Sequence, residues 1–118
     1  MKLYIKGKRS KGCIYSIDEV GTIELSGYTD NECEWLSLVE AMKFISGHQD
    51  EDEYSIYTDS VLLFRQITGK YRIKSKNLKD IYFVWNKYKN ILSELNILYQ
   101  YVSGIYNPAR RYLYENNN

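Results

Sequence analysis

The chain is short of several things, and each shortage removes a class of function. Its two cysteines, Cys13 and Cys33, stand alone without metal-ligand spacing. That excludes a zinc-type site and suits plain reduced thiols, so a cytoplasmic location is expected. No apolar run approaches membrane-spanning length, and Met1-Lys2-Leu3-Tyr4-Ile5 leads into charge rather than into a signal-peptide core. No membrane association is expected. Neither sign of charge is in excess, since 16 basic and 15 acidic side chains leave +1. An electrostatic footprint for nucleic acid must therefore come from local clustering. No internal repeat or low-complexity segment occurs, and the single proline, Pro108, is placed to open a short helix. The one histidine, His48, reads as a surface loop residue.

What is present has the balance of a soluble globular protein, with 44% hydrophobic and 26% charged residues. At 118 residues the chain is large enough for one core and too small for two. A single domain over 1–115 is expected, with residues 116–118 as a disordered tail.

Alternating and β-branched patterns predict strands over 2–6, 13–17 and 22–26, joined by short turns as an antiparallel meander. A helix over 30–46 follows, stopping at Gly47-His48. Beyond an acidic loop over 50–53, the chain shows a fourth strand at 54–58 ending in Asp59-Ser60, then a short helix over 61–68 closing at Gly69. The longest helix is expected over 78–95, with Leu78, Ile81, Tyr82, Trp85, Tyr88 and Leu92 at core spacing. A fifth strand over 96–102 and a helix from Pro108 to about Tyr114 complete the order. This order predicts an α/β domain: a mixed five-stranded sheet, three antiparallel strands then parallel additions, flanked by helices. Ligands of such sheets bind outside the carboxyl ends of the central strands, where Asp59 and the end of the first strand at Lys6 should meet.

The first long helix opens with a capping box, Thr29-Asp30-Asn31-Glu32, in which Thr29 and Glu32 each satisfy an orphan backbone N–H. Its odd feature is Glu34. Helical spacing puts Glu34 on one stripe with Leu38, Ala41 and Ile45, so a carboxylate opens an apolar face. A charge there needs a partner, either a metal ion or a cationic side chain.

These pieces together resemble the ribonuclease H family over nearly the whole chain. The matching segments are Tyr4-Ile5-Lys6-Gly7, the helix start Thr29-Asp30-Asn31-Glu32-Cys33-Glu34, Asp59-Ser60, the Gly-Lys-Tyr-x-Ile-Lys-x-x-x-Leu segment from Gly69 to Leu78, and Asn107-Pro108-Ala109. The resemblance implies a ribonuclease H-like fold and, in an active member, two-metal hydrolysis of the RNA strand of an RNA/DNA hybrid. Several carboxylates would hold the two ions against their mutual repulsion. The carry-over is partial. Glu34 matches the helix glutamate and Asp59 the fourth-strand aspartate, but the first-strand aspartate position holds Lys6 and the last one falls on Arg111.

Charge arithmetic weighs against metals. A lysine ammonium about 4 Å from a divalent ion, at an effective dielectric of about 20, meets roughly 8 kcal/mol of gross repulsion. Lys6 and Arg111 are better suited to neutralise Asp59 and Glu34, so a vestigial centre with no cofactor is expected. In the rival arrangement Lys6 swings out and one Mg²⁺ or Mn²⁺ binds through Glu34 and Asp59 with help from Asp30.

Lys70, Tyr71, Arg72, Lys74, Lys76 and Lys79 cluster in the stretch that, by the resemblance, grips the hybrid backbone. Basic side chains interleaved with an aromatic suit phosphate and sugar contacts. Thr29 and Asn31 match positions near phosphate and the 2′-hydroxyl, while Asp30 would repel a phosphate. Lys8, Arg9 and Lys11 form a second basic patch. The expectation is a catalytically inactive, nucleic-acid-binding domain. The alternatives are an active Mg/Mn-dependent endoribonuclease of the ribonuclease H type, or a protein-interaction module on the same fold. The oligomeric state is left open.

Overall fold

Strand β1 (Lys2–Lys8) is the middle of the molecule, and the alternation of its side chains explains much of the rest. Leu3 and Ile5 are fully buried on one face, whereas Tyr4, Lys6 and Lys8 point to the other. In the computed structural model, which describes residues 1–48 and 50–116, β1 pairs antiparallel with β2 (Lys11–Tyr15) and β2 with β3 (Val20–Glu24). The meander is as expected, but β1 runs on through Gly7 and Lys8, and β3 starts two residues earlier than its pattern indicates. The first connection is therefore a two-residue turn with Lys8 opposite Lys11. Its central residues, Arg9 and Ser10, both have positive φ, 52° and 64°. That is the backbone of a type I′ turn, which Asn-Gly would adopt with less strain.

On its other side β1 pairs parallel with β4 (Glu53–Thr58), and β4 pairs parallel with β5 (Asn96–Tyr101). The sheet order is β3-β2-β1-β4-β5, a mixed sheet with its two hydrophobic central strands in the middle. Helix α1 (Asp30–Gly47) lies on one face, α2 (Val61–Ile67) sits by β4 and β5, and α3 (Lys76–Ile91) packs on α1. The capping box at Thr29 and Glu32 is present in both directions. Helix α3 begins two residues before its expected start because the Ser75 side chain caps it by accepting from Leu78 N–H. It ends at Ile91, before the expected Leu95. At its core spacing Leu78, Ile81, Trp85 and Leu92 are buried, and Tyr82 is exposed. The larger core lies between the sheet and α1, where Trp35 meets Trp85 and Tyr82 edge-on and donates its indole N–H to Gln66 Oε1 at 2.8 Å.

The opposite face is covered by α4 (Pro108–Glu115), with Pro108 in its first turn as expected. A smaller cluster of Cys13, Ala109 and Leu113 lies beneath it. The disordered tail expected from Asn116 starts at a residue whose backbone N–H bonds to Tyr112 O; residues 117 and 118 lie outside the described residues. His48 caps α1 and stacks on Phe44, with ring centroids 4.1 Å apart. Among the described residues no helix is long and apolar enough to cross a membrane.

Candidate functional site

The carboxyl ends of β1 and β4, the first turns of α1 and the start of α4 converge on one small centre. Its geometry depends on Gly7. A Cβ there would fall on the backbone of Cys33 and Glu34, so only glycine lets α1 lie directly against β1. This close approach delivers the Gly7 N–H to Glu34 Oε1 at 2.6 Å. Glu34 is only 3% exposed, on the apolar stripe with Leu38, Ala41 and Ile45, as its spacing indicates.

The partner of Glu34 is a cation. Lys6 Nζ lies 3.2 Å from Glu34 Oε1 and 2.7 Å from Asp59 Oδ1. Asp59 Oδ2 accepts from Asn107 Nδ2 at 3.2 Å, and the same amide donates to Ile5 O at 3.0 Å. Asn107 Oδ1 in turn caps α4 by accepting from Ala109 N–H. Thr58 Oγ1 donates weakly to Glu34 Oε2 at 3.4 Å and accepts from Ser60 N–H. One ammonium thus serves two carboxylates, and the shorter contact goes to Asp59.

Burial is the largest influence on Glu34 and pushes its carboxyl up to about 7; Lys6 and the Gly7 N–H pull it down, and Asp59 adds repulsion. Burial also works against the Lys6 ammonium, but Glu34 and Asp59 together outweigh it and hold its pKa above the usual lysine value. Glu34 is thus the group that takes up a proton near neutrality, while the Lys6 ammonium stays between both acids.

Of the expected site residues, Lys6, Glu34 and Asp59 come together. Arg111 does not: it is exposed and, among the described residues, makes no ion pair with either acid. Asn107 occupies the place expected for it, from the residue before the helix rather than from inside it. Nothing in composition marks Asn107, although an asparagine directly before a helix-opening proline signals an N-cap. Asp30 is also committed elsewhere, since its Oδ1 accepts from Arg9 N–H at 2.9 Å and pins the β1–β2 turn.

The donor set does not fit a pair of divalent ions. Glu34 Oε1 and both Asp59 oxygens already accept protein hydrogen bonds, and an ammonium lies between the two carboxylates. Among the described residues no group of three His, Cys, Asp or Glu side chains is placed to hold a metal ion.

A groove of about 240 Å³ runs past this centre, lined by Lys6, Gly7, Lys8, Asp30, Asn31, Glu34, Ser60 and Leu62. Asn31 Oδ1 is buried there with no hydrogen-bond partner. The Thr29 hydroxyl, in contrast, is used by the capping box. The basic segment forms a second hollow of about 520 Å³, in which Lys70, Tyr71, Arg72 and Lys79 stand with Gln66 and Tyr82 and, among the described residues, no acidic side chain. Lys74 and Lys76 are exposed beside it. None of these cations makes an ion pair among the described residues. The Tyr71 ring carries the Arg65 guanidinium at 5.1 Å from its centroid.

The sequence matches no protein-family model and no curated protein. Solved structures do match. LC11-RNase H1, in a crystal structure of its complex with an RNA/DNA hybrid, superposes with a TM-score of 0.76 at 18% identity, over 90% of this chain and 87% of its own. RNase H1 of the halophilic archaeon Halobacterium salinarum gives 0.74 at 17% identity, covering 92% and 89%. The N-terminal RNase H domain of a Mycobacterium tuberculosis protein gives 0.67 at 19% identity, covering 92% of each. The fold is ribonuclease H-like.

Proposed function

We propose that this ribonuclease H-like domain binds nucleic acid, an RNA/DNA hybrid or RNA, and does not hydrolyse it. The observation that carries the reading is the Lys6 ammonium at 2.7 and 3.2 Å from the two carboxylates. It fills with an internal positive charge the position where a metal-dependent hydrolase needs divalent ions and acids to hold them. Loss of metal chemistry leaves the binding surfaces untouched. Lys70, Arg72, Lys74, Lys76 and Lys79 make no ion pair among the described residues in and beside the second hollow, which suits phosphates along a strand. The unpartnered Asn31 Oδ1 in the first groove is an acceptor that a ribose 2′-hydroxyl can satisfy. The likeness to a structure solved with a hybrid bound supports the same choice of ligand class.

The test uses one labelled RNA/DNA hybrid in two assays. Fluorescence anisotropy at low salt should show binding that weakens steeply as salt rises. Incubation with Mg²⁺ or Mn²⁺ should leave the RNA strand intact. Absence of binding to hybrid and to RNA at low salt would remove the nucleic-acid reading. Cleavage that disappears in Asp59→Asn would establish an active nuclease instead.

A further inference from the structure

The turn between β1 and β2 holds an arginine where the fold has no use for one. Arg9 and Ser10 adopt positive φ, a conformation that favours Asn-Gly at a two-residue turn. The turn is anchored through its own backbone atoms, with Arg9 N–H donating to Asp30 Oδ1 and Ser10 O accepting from Leu25 N–H. The Arg9 side chain makes no hydrogen bond or ion pair among the described residues. It lines a cavity of about 270 Å³ between the turn and α4, together with Lys8, Arg110, Leu113 and Tyr114.

Three cations and, among the described residues, no carboxylate line this cavity. Two of them are held by the same ring: Lys8 Nζ lies 5.7 Å and the Arg110 guanidinium 5.1 Å from the Tyr114 centroid. Arg110 also packs into the space that a side chain at Gly104 would fill. Its guanidinium is thus positioned before any ligand arrives. Gathering like charges is unfavourable unless an anion joins them, and guanidinium groups suit phosphate oxygens in particular. The volume lies below the roughly 300–1,000 Å³ of sites that enclose a whole small molecule. It takes a group rather than a free ligand with a base and sugar. Lys8 also lines the groove beside Lys6 and Asn31, so the two hollows adjoin.

We propose that this cavity is a phosphate site, filled by a backbone phosphate of a polynucleotide that continues from the groove past Lys6. The proposal rests on the nucleic-acid reading above and adds to it a contact point on the face covered by α4. Strain at Arg9 then has a function, since the turn gives up backbone ease to aim a guanidinium at the ligand.

Arg9→Gly and Arg110→Gln, each compared with wild type for hybrid binding at several salt concentrations, test it. Loss of one phosphate contact should weaken binding roughly five- to tenfold near 0.1 M salt and reduce the log–log salt slope by about 0.9. Arg9→Gly should at the same time raise Tm by a few degrees, because glycine fits the turn. A merely structural arginine would lower Tm. If the wild type binds hybrid and both variants match it in affinity and slope, the phosphate site is overturned while the nucleic-acid reading stands. If no nucleic acid binds at all, both fall. Amide shifts at Arg9 and Arg110 on titrating pyrophosphate into such a non-binding protein would assign the cavity to a free phosphate compound, against the proposal.

Discussion

Lys6 and Lys8 lie two residues apart on the same face of β1, yet their charges have opposite fates. Lys6 is enclosed by Glu34 and Asp59, with its side chain only 12% exposed, and its charge is consumed inside the fold. Lys8 stands among Arg9, Arg110 and the Tyr114 ring, with no acid in that cavity among the described residues. The net charge of +1 conceals this division. What a basic residue is free to do depends on whether its counter-charge is intramolecular. By that criterion the charge of Lys6 is neutralised within the fold, whereas the cations of the rim, including the segment 70–79, make no ion pair among the described residues.

The largest expected effect comes from breaking the enclosed side. Lys6→Met leaves two buried carboxylates without their cation and should cost about 3–5 kcal/mol at pH 8 by denaturant unfolding. A loss under about 1 kcal/mol would mean that the pairing is incidental. Lys6→Asp should convert the centre into a site of three carboxylates that binds Mn²⁺, giving heat in calorimetry and a higher Tm with the metal. Silence in both measurements would place Lys6 outside the position of a metal-ligand acid.

Next in size is the pH dependence set by Glu34. Its carboxyl titrates at about 7 in the fold against an ordinary 4.5. Between those values the folded chain holds a proton that the unfolded chain has released. Stability therefore falls as pH rises from 4.5 to 7, by about 3 kcal/mol in all, and levels off above. Glu34→Gln keeps an acceptor for Gly7 N–H and should remove that part of the profile, making the variant relatively more stable at pH 8 than at pH 5. Parallel profiles for the two proteins would contradict the proton assignment. The raised pKa of Lys6 contributes stability that is present below its ordinary 10.5 and lost only as pH rises through its higher folded value, outside this window.

The smallest effects belong to the open side. Lys74→Gln and Lys76→Gln touch nothing in the core and should leave Tm within about 1 °C. Each should weaken hybrid binding several-fold and flatten the salt slope by about 0.9. Were these changes to destabilise the fold while sparing affinity, the division between enclosed and open charge would be reversed.

Much of this was legible in the residues themselves. The antiparallel meander followed from period-two patterns and short turns, and Glu34 was visible as a carboxylate on an apolar stripe above a capping box. Lys6 could be placed beside Asp59 because parallel neighbours in such a sheet align their carboxyl ends. Two positions were hidden for the same reason, helical phase. Each residue turns a helix by about 100°, so a shift of one position sends Arg111 to solvent while Arg110 lies against Tyr114. The β1–β2 connection is expected as a turn over residues 7–12, and its tightening to two residues is hidden because Arg-Ser carries none of the chemistry of a two-residue turn. Only the pairing of Lys8 with Lys11 reveals it.

The Asn107 amide has a consequence for how the chain assembles. It joins Ile5 O, 102 residues earlier, and Asp59 Oδ2, 48 residues earlier. Contacts of such long sequence separation form late, after loop-closure entropy has been overcome. During synthesis, Lys6 and Asp59 can meet as soon as β4 has emerged, but the final partner of that carboxylate arrives only with the last helix. A ribosome-bound chain ending before residue 107 therefore carries a half-closed centre, and the emergence of Asn107 is the step that locks it.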